Sequence, residues 1–464
     1  MGKHMNYTTE IYAAHQDLSD CSVAFLEFVK KNPACLDRAN FDGILIDKRF
    51  PDCNPQPWPT FVSNKKKMEM AEAAQKINDL IKSIIPRFFS YDIQKICHYY
   101  EIDPERTQML MYGVDESHLK NLLARGDFIA TPSGEFKCLE FNMQANLGGW
   151  ELDLLEPIYT ETPIIANFLK EYSPTIYKNH FFSLLFEHVL DAFQKKHPDT
   201  TKRGEIEKVN MAIVYPDPFL SEQNDTISQM QNSYKQALHK KNSKLKGELI
   251  VCGFNSLKMS HNFLVHDGQK IDILLEMLNG LTPLLYMHLV KEGNLQLYNG
   301  PVCKLMSNKL NLAFLSEHQD SDIFSLEEQA VIKKHIPWTR KVLASHTSFL
   351  LSQQENLVLK PSDGLGGIDV FLGCKTAPAE WAQQVEKAVA EKKWVAQEYV
   401  PSASYLYQNG KTGCSPHHVI WGLFVMGSQY AGGFVRIMPE NKIHGAINYH
   451  QGAEESIIIE VEES

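Results

Sequence analysis

No apolar run in this 464-residue chain is long and clean enough to span a bilayer. The best stretch, residues 274–290, is broken by Glu276, Asn279, Pro283 and His288, whereas a spanning helix needs about 20 mostly apolar residues. The opening Met1-Gly2-Lys3-His4-Met5 is followed by no apolar segment, so no signal peptide is expected. The 9 cysteines are scattered and odd in number, with no CxxC pair. That pattern excludes a disulfide framework and a cysteine-based zinc site. It leaves the expectation of a reduced, cytoplasmic chain with mostly buried thiols. Positive charge is also short: 46 Lys and Arg stand against 56 Asp and Glu, a net charge of −10. Such a balance favours solubility and argues against a general nucleic-acid binder, with only a local basic groove left open. There is no GxSxG nucleophile elbow and no HExxH metal helix. His417 and His418 are neighbours that point apart in a strand, and the even spacing of His444 and His450 fits a half-buried strand face as well as a site.

What is present is ordinary for a globular protein: 44% hydrophobic and 22% charged residues, with length for about three domains. Residues 6–125 read mainly as helix, most clearly at 68–86 and 90–100, around a loop at 51–59 that carries 4 prolines. A hairpin follows, turning at Thr131-Pro132-Ser133-Gly134, where Pro second and Gly fourth suit a type I turn. Residues 154–195 look helical. A charged patch at 202–208 leads into strand candidates at 209–215 and 249–252, with a polar helix at 222–245 between them. Helices broken near Gly280 and Pro283 are expected over 271–291. This alternation predicts a small α/β unit with a parallel sheet. Helices are expected at 305–318, 326–344 and 378–391, and strands at 357–360 and 394–400. Residues 418–460, rich in β-branched, aromatic and Gly residues, predict antiparallel sheet.

Five places could carry chemistry. In the hairpin, a two-residue loop centred on Pro132 and Ser133 would set Arg125 opposite Glu140 and Asp127 opposite Cys138. Arg125, Asp127, Glu140 and Asn142 would then share one face. Two carboxylates and an amide beside an Arg suit Mg²⁺ plus phosphate; the same residues also fit a solvent-facing strand with a surface salt bridge. A loop one residue longer would send Asp127 to the other face. Next, Lys360-Pro361-Ser362-Asp363-Gly364-Leu365-Gly366-Gly367 ends a strand in a cation and follows it with glycines whose N–H groups can approach anionic oxygens. It is not the GxxxxGK[ST] loop, since the Lys comes first, and a flexible hairpin loop would read the same way. Asn299-Gly300-Pro301 followed by Ser307-Asn308-Lys309 puts a Lys near a helix start, over phosphates or simply in solvent. Gln397-Glu398-Tyr399-Val400 ends a strand whose edge could meet an adenine. Arg436 could neutralise a transferring phosphate, and Asn448 could complete a metal shell; alone, an Arg and an Asn in a sheet carry little.

Taken together, and in this order, these motifs resemble the ATP-grasp superfamily, and more narrowly its circularly permuted group that includes glutathionylspermidine synthetase. Leu139-Glu140-Phe141-Asn142 lies more than two hundred residues before Lys360, and the chain ends soon after Arg436 and Asn448, which is the permuted arrangement. The resemblance implies an α+β, multi-lobe fold with an N-terminal helical region. It implies a helical cap at 1–110, the metal hairpin and part of the large lobe at 111–205, a small α/β unit at 206–305, and the nucleotide lobe with the remaining large-lobe strands at 306–464. Asp127, Glu140 and Asn142 would hold Mg²⁺. Lys309, Lys360 and Arg436 would face the phosphates of ATP, and Arg125 would stabilise the tetrahedral oxyanion. Gly364, Gly366 and Gly367 would form the phosphate lid, and Gln397, Glu398, Tyr399 and Val400 the adenine hinge. The implied reaction is ATP-dependent joining of a small-molecule or peptide carboxylate to an amine through an acyl phosphate, with neither nucleic acid nor membrane involved. A kinase, a thiol ligase or a non-catalytic nucleotide-binding or scaffold protein on the same fold are the alternatives. After Glu-x-Asn the synthetase carries Asp-Thr-Pro-Thr, whereas this chain has Met143-Gln144-Ala145-Asn146-Leu147-Gly148-Gly149, so spermidine and glutathione are not implied. No Cys-His amidase module precedes the ligase-like part.

Overall fold

The computed structural model describes residues 8–41, 54–144, 147–148, 152–178, 180–198, 208–216, 224–242, 245–278, 282–364, 366–448 and 451–463. It shows an α+β protein with several sheets. All but Lys208 of the expected charged patch at 202–208, the break at Gly280, the first residues of the proline-rich loop, and His450 lie outside the described residues.

The largest sheet has 8 strands and draws on both ends of the chain. Its order is β1 (Thr60–Ser63), β19 (Glu454–Glu462), β18 (Gln429–Pro439), β17 (Gly413–Met426), β2 (Leu123–Ala130) and β3 (Phe136–Asn142). In addition β16 (Tyr405–Asn409) pairs with β17, and β4 (Thr175–Tyr177) with β19. Every neighbour is antiparallel except β1 with β19. One face packs on the helix Asn64–Ile84. Ser63 caps that helix, its side chain accepting from the Lys66 N–H. Met70, Ala73, Ala74, Ile77, Ile81 and Ile84 recur at helical spacing and are buried. The two alanines let the helix approach the sheet closely, and Ile77 and Ile81 each contribute about 1.5–3 kcal/mol by burial. Lys82, on the same helix, donates to the carbonyls of Leu122 at 2.8 Å and Gly427 at 2.7 Å, tying the helix to the start of β2 and the turn after β17.

A second sheet is wholly parallel. It runs β11 (Gln296–Tyr298), β10 (Ile273–Glu276), β5 (Met211–Tyr215), β6 (Leu249–Gly253), as the alternating pattern predicts. A three-stranded meander, β7 (Lys258–Ser260), β8 (Phe263–His266) and β9 (Gln269–Ile271), lies between β6 and β10 in the chain. The last sheet is antiparallel: β12 (Thr339–Lys341), β15 (Trp394–Glu398), β13 (Leu357–Pro361), β14 (Phe371–Leu372). The helix Pro378–Glu391 backs it with Trp381, Val385 and Ala388.

Several expected elements differ. The helices expected over 271–291 are strand β10 followed by the helix Leu284–Lys291; a four-residue apolar run has too few residues to reveal its period. The helix expected at 326–344 stops at His335, before Pro337, and the chain re-enters as β12. Residues 305–318 are two helices, Cys303–Met306 and Leu310–Glu317, parted at Ser307-Asn308-Lys309. The stretch 154–195 is three helices, separated by Pro163 and by β4. The N-terminal region is mostly helical where described, yet it also supplies β1 to the large sheet. Among the described residues no helix is long and apolar enough to cross a membrane.

Candidate functional site

A cavity of about 420 Å³ lies between one face of the large sheet and one face of the last sheet. Its floor is the hairpin β2–β3. The turn Thr131–Gly134 closes with Gly134 N–H donating to Thr131 O at 2.8 Å, and Gly134 takes φ +82°, which extends the loop by one residue beyond the two expected. By itself that shift would move Asp127 to the wrong face. A bulge corrects it. Phe128 pairs with Cys138 but Asp127 pairs with Glu140, leaving Leu139 as the extra residue, and Arg125 pairs with Asn142. Two one-residue shifts restore the parity, so Arg125, Asp127, Glu140 and Asn142 do share a face. The partners differ from those expected, and Cys138 falls on the opposite, buried side.

Asp127 is 2% exposed and sits between two guanidinium groups. Arg125 donates to both its oxygens, Nε at 2.8 Å and Nη2 at 3.1 Å, and Arg436 Nη2 reaches Oδ2 at 2.7 Å. Gly422, opposite Asp127 on β17, makes room: a Cβ there would meet Arg125 Cδ and the Phe434 ring, over which the Arg125 guanidinium lies at 5.4 Å. Burial alone would lower the Arg125 guanidinium, but Asp127 outweighs it and raises its pKa. Arg436 Nε is buried and has no hydrogen-bond partner among the described residues. Burial likewise pushes the Glu140 carboxyl up, and the ammonium groups of Lys309 and Lys360 overcome it, holding it well below the carboxylate range.

The two lysines come from different elements. Lys309 follows the short helix break and reaches Glu140 Oε2 at 3.2 Å and Gly364 O at 2.7 Å. Lys360, near the end of β13, donates to Leu139 O at 3.1 Å and to Gln397 Oε1 at 2.6 Å. The bulged residue of the hairpin thus supplies the carbonyl that joins the two sheets. Burial, partly offset by Glu140, lowers Lys360 to about 8. The glycine loop follows. Gly366 and Gly367 take φ of +64° and +67°, a conformation glycine adopts without cost. Asn448 Nδ2 donates to Gly366 O at 2.9 Å, and its Oδ1 accepts from Gln451 N–H. Asn448 is therefore a clasp on the loop, with both ends of its amide engaged.

The hinge segment also differs in detail. The Glu398 N–H donates to Trp338 O and the Tyr399 N–H to Asn356 O, both at 2.8 Å. The Gln397 amide is spent on Lys360 and on Thr339 Oγ1. Tyr399 and Val400 line the cavity, with Val358 and Leu372 as apolar wall nearby. Sequence reasoning missed Ile129, Ile420 and Ser402, which also line it, together with His418 and Gln144. Strand alternation from Asp127 and Arg436 would have found Ile129, His418 and Ile420, since Ile420 pairs with both Ile129 and Arg436. Asn299, which opens the Asn299-Gly300-Pro301 segment ahead of Lys309, is a buried residue at φ +66° whose amide accepts from Leu123 N–H and donates to Leu123 O and Met143 O. Asn299 anchors the two open ends of the hairpin.

Among the described residues no three His, Cys, Asp or Glu side chains gather as a metal cage. Two carboxylates and an amide do fit Mg²⁺, which takes few protein oxygens and completes its shell with water and phosphate. Asn142 Nδ2 lies 3.3 Å from both Asp127 Oδ2 and Glu140 Oε1, so its amide would turn to offer oxygen, and Asp127 would give up an arginine contact.

No known protein family matches the chain, and no curated protein matches it in sequence. Among solved structures, 46 chains match. One is the crystal structure of a protein provisionally described as gamma-glutamylcysteine synthetase from Methylobacillus flagellatus KT. The match covers 83% of this chain and 88% of that one, at 13% identity and a TM-score of 0.40. At that distance the likeness says nothing of this chain's activity.

Proposed function

We propose that the protein is an ATP-dependent ligase that joins a carboxylate to an amine and releases ADP and phosphate, on an ATP-grasp arrangement in permuted order. One observation carries this reading. Among the described residues, four buried or nearly buried cations, Arg125, Lys309, Lys360 and Arg436, converge on two carboxylates, Asp127 and Glu140, beside a clasped glycine loop. A chain of net charge −10 concentrates positive charge there, and a triphosphate is the ligand that such a surplus suits.

In this reading Lys309 and Lys360 hold phosphate oxygens as point charges, and Gly364, Gly366 and Gly367 close over them and exclude water. The adenine lies towards Tyr399 and Val400; with the amides of Glu398 and Tyr399 engaged, its polar edge falls to Val400. Asp127, Glu140 and Asn142 are the residues that would hold Mg²⁺, which would supply neutralising charge beside the phosphates. Arg436 and Arg125 face the transferring group. The substrate carboxylate attacks the γ-phosphorus, ADP leaves, and an acyl phosphate forms. The amine then adds to the acyl carbon and phosphate leaves with its bonding electrons. Arg125 steadies the oxyanion of the intervening tetrahedral species. Of the four units proposed, 1–110, 111–205 and 306–464 supply the strands of the large sheet and 206–305 carries the parallel sheet, and the absence of a disulfide among the described cysteines suits the cytoplasm.

The test is ADP release by the purified protein with ATP and Mg²⁺, against pooled acids with and without pooled amines. Release that needs both supports the ligase. Release with acid alone favours a kinase, and release that needs a thiol in place of the amine favours a thiol ligase. Tight ATP binding without turnover in any pool favours the non-catalytic reading, and absence of nucleotide binding removes the proposal.

A further inference from the structure

Lys360 is held in place by a side chain that is itself oriented from outside the cavity. Thr339 and Gln397 are cross-strand partners on β12 and β15, 1% and 2% exposed. Thr339 Oγ1 donates its one proton to Pro337 O at 2.8 Å. A carbonyl can only accept, so the oxygen of Thr339 is left as an acceptor towards Gln397, and Gln397 Nε2 donates to it at 3.1 Å. The amide nitrogen being fixed on that side, the amide oxygen must face Lys360 Nζ, 2.6 Å away. An ammonium has three protons. Lys360 gives one to Gln397 Oε1 and one to Leu139 O, and these two bonds aim the third.

We propose that Thr339 and Gln397 form a relay that positions the Lys360 ammonium for a phosphate oxygen, making Gln397 a positioning residue and not an adenine contact. The inference rests on the nucleotide reading of the cavity. The relay engages both ends of the Gln397 amide and holds the side chain, 2% exposed, on Lys360 and Thr339 rather than towards a base. The charged and titratable groups around Lys360 are Glu140, Lys309, Asp127 and Cys138. Without the Gln397 oxygen, the ammonium swings towards Glu140, where Lys309 already sits.

Four variants test the relay: Gln397→Leu, Gln397→Glu, Thr339→Val and Thr339→Ser. Two readouts are used, KM for ATP against kcat, and the rate at which an amine-acylating reagent modifies Lys360 in nucleotide-free protein, followed by mass spectrometry. Gln397→Leu is expected to raise KM for ATP about tenfold, the loss of one hydrogen bond to a charged group, with a smaller change in kcat. Gln397→Glu, which keeps an acceptor for the lysine, restores most of that loss. Thr339→Val frees the amide to turn and raises KM several-fold although Thr339 does not line the cavity; Thr339→Ser behaves as wild type. Lys360 labelling changes several-fold in Gln397→Leu and Thr339→Val and returns to wild type in Thr339→Ser. A merely structural role would lower the melting temperature of Thr339→Val and leave KM and Lys360 labelling unmoved, and that result overturns the relay. Should Thr339→Val not fold, wild-type KM and labelling in Gln397→Leu overturns it equally. If wild-type protein fails to bind ATP, the nucleotide reading has failed, and the labelling series still decides whether the relay holds the lysine.

Discussion

At the scale of single residues, the cavity is a balance of buried charge. Glu140 is the counter-ion shared by Lys309 and Lys360, and Asp127 the one shared by Arg125 and Arg436. Glu140→Gln removes one anion while keeping shape and hydrogen bonding. Turnover of ATP should fall by about 10²-fold or more, the usual cost of losing a group that meets developing charge, while far-ultraviolet circular dichroism and cooperative unfolding persist. A Glu140→Gln protein with full ATP-dependent activity would sink its assignment to the metal. Lys360 makes a pH prediction. Burial holds its folded pKa at about 8, below the usual lysine value. It is charged below that pH and neutral above it, and only the charged form attracts phosphate. Nucleotide affinity should therefore be level below pH 8 and weaken as pH rises through it, as isothermal titration from pH 6.5 to 9.5 would record. Stability moves the other way: between about pH 8 and the unfolded lysine value the unfolded chain binds more protons, so the Lys360 contribution favours folding more as pH rises.

At the scale of elements, the glycine loop is held by two side chains, Lys309 at Gly364 O and Asn448 at Gly366 O. Gly367→Ala puts a Cβ into the Asn448 amide and Ala446, at a backbone φ of +67°. The expected result is a loop pushed off its clasp, with KM for ATP raised several-fold, faster proteolytic cleavage within 362–370, and a melting temperature within a few degrees of wild type. Unchanged cleavage and KM would show that the loop closes without Asn448. The same elements show what could be read in advance. Pro132 and Gly134 marked the turn, because Pro fixes φ and Gly supplies the left-handed position. Nothing about Leu139 marks it as a bulge; its extra carbonyl is used by Lys360, 221 residues away, and no local pattern carries that. The shared face of Arg125, Asp127, Glu140 and Asn142 followed from parity, which survives an even number of shifts but not an odd one. Of the helices expected over 271–291 the second is present at Leu284–Lys291, whereas Ile273–Glu276 is a strand buried between β5 and β11, so its strand period is hidden. Gln397 was placed beside the cavity by its strand, but the use of its amide depended on Thr339, 58 residues away.

At the scale of the whole molecule, the N- and C-terminal parts build one core. β1 lies parallel to β19, a pairing between residues nearly four hundred positions apart that no local signal announces. The Glu463 carboxylate accepts from the first backbone N–H groups of the helix Asp20–Lys31, Asp20 at 3.0 Å and Cys21 at 2.7 Å. Arg38 meets Glu454, and Thr60 Oγ1 meets the Tyr407 hydroxyl at 2.6 Å. The helix Asn64–Ile84 covers the side of the large sheet opposite the cavity, so the face that holds Asp127 and Arg436 is rigid only while that helix is docked. A separate N-terminal cap would melt on its own and leave the rest folded. A shared core predicts instead that the full chain unfolds in one cooperative calorimetric transition spanning residues 64–84 and 417–425, with the amides of both segments exchanging hydrogen at the same slow, global rate. A distinct early transition, with 64–84 exchanging fast while 417–425 stays protected, would show that the N-terminal region is an appendage. In that case the charged face of the cavity would owe its geometry to the sheet alone.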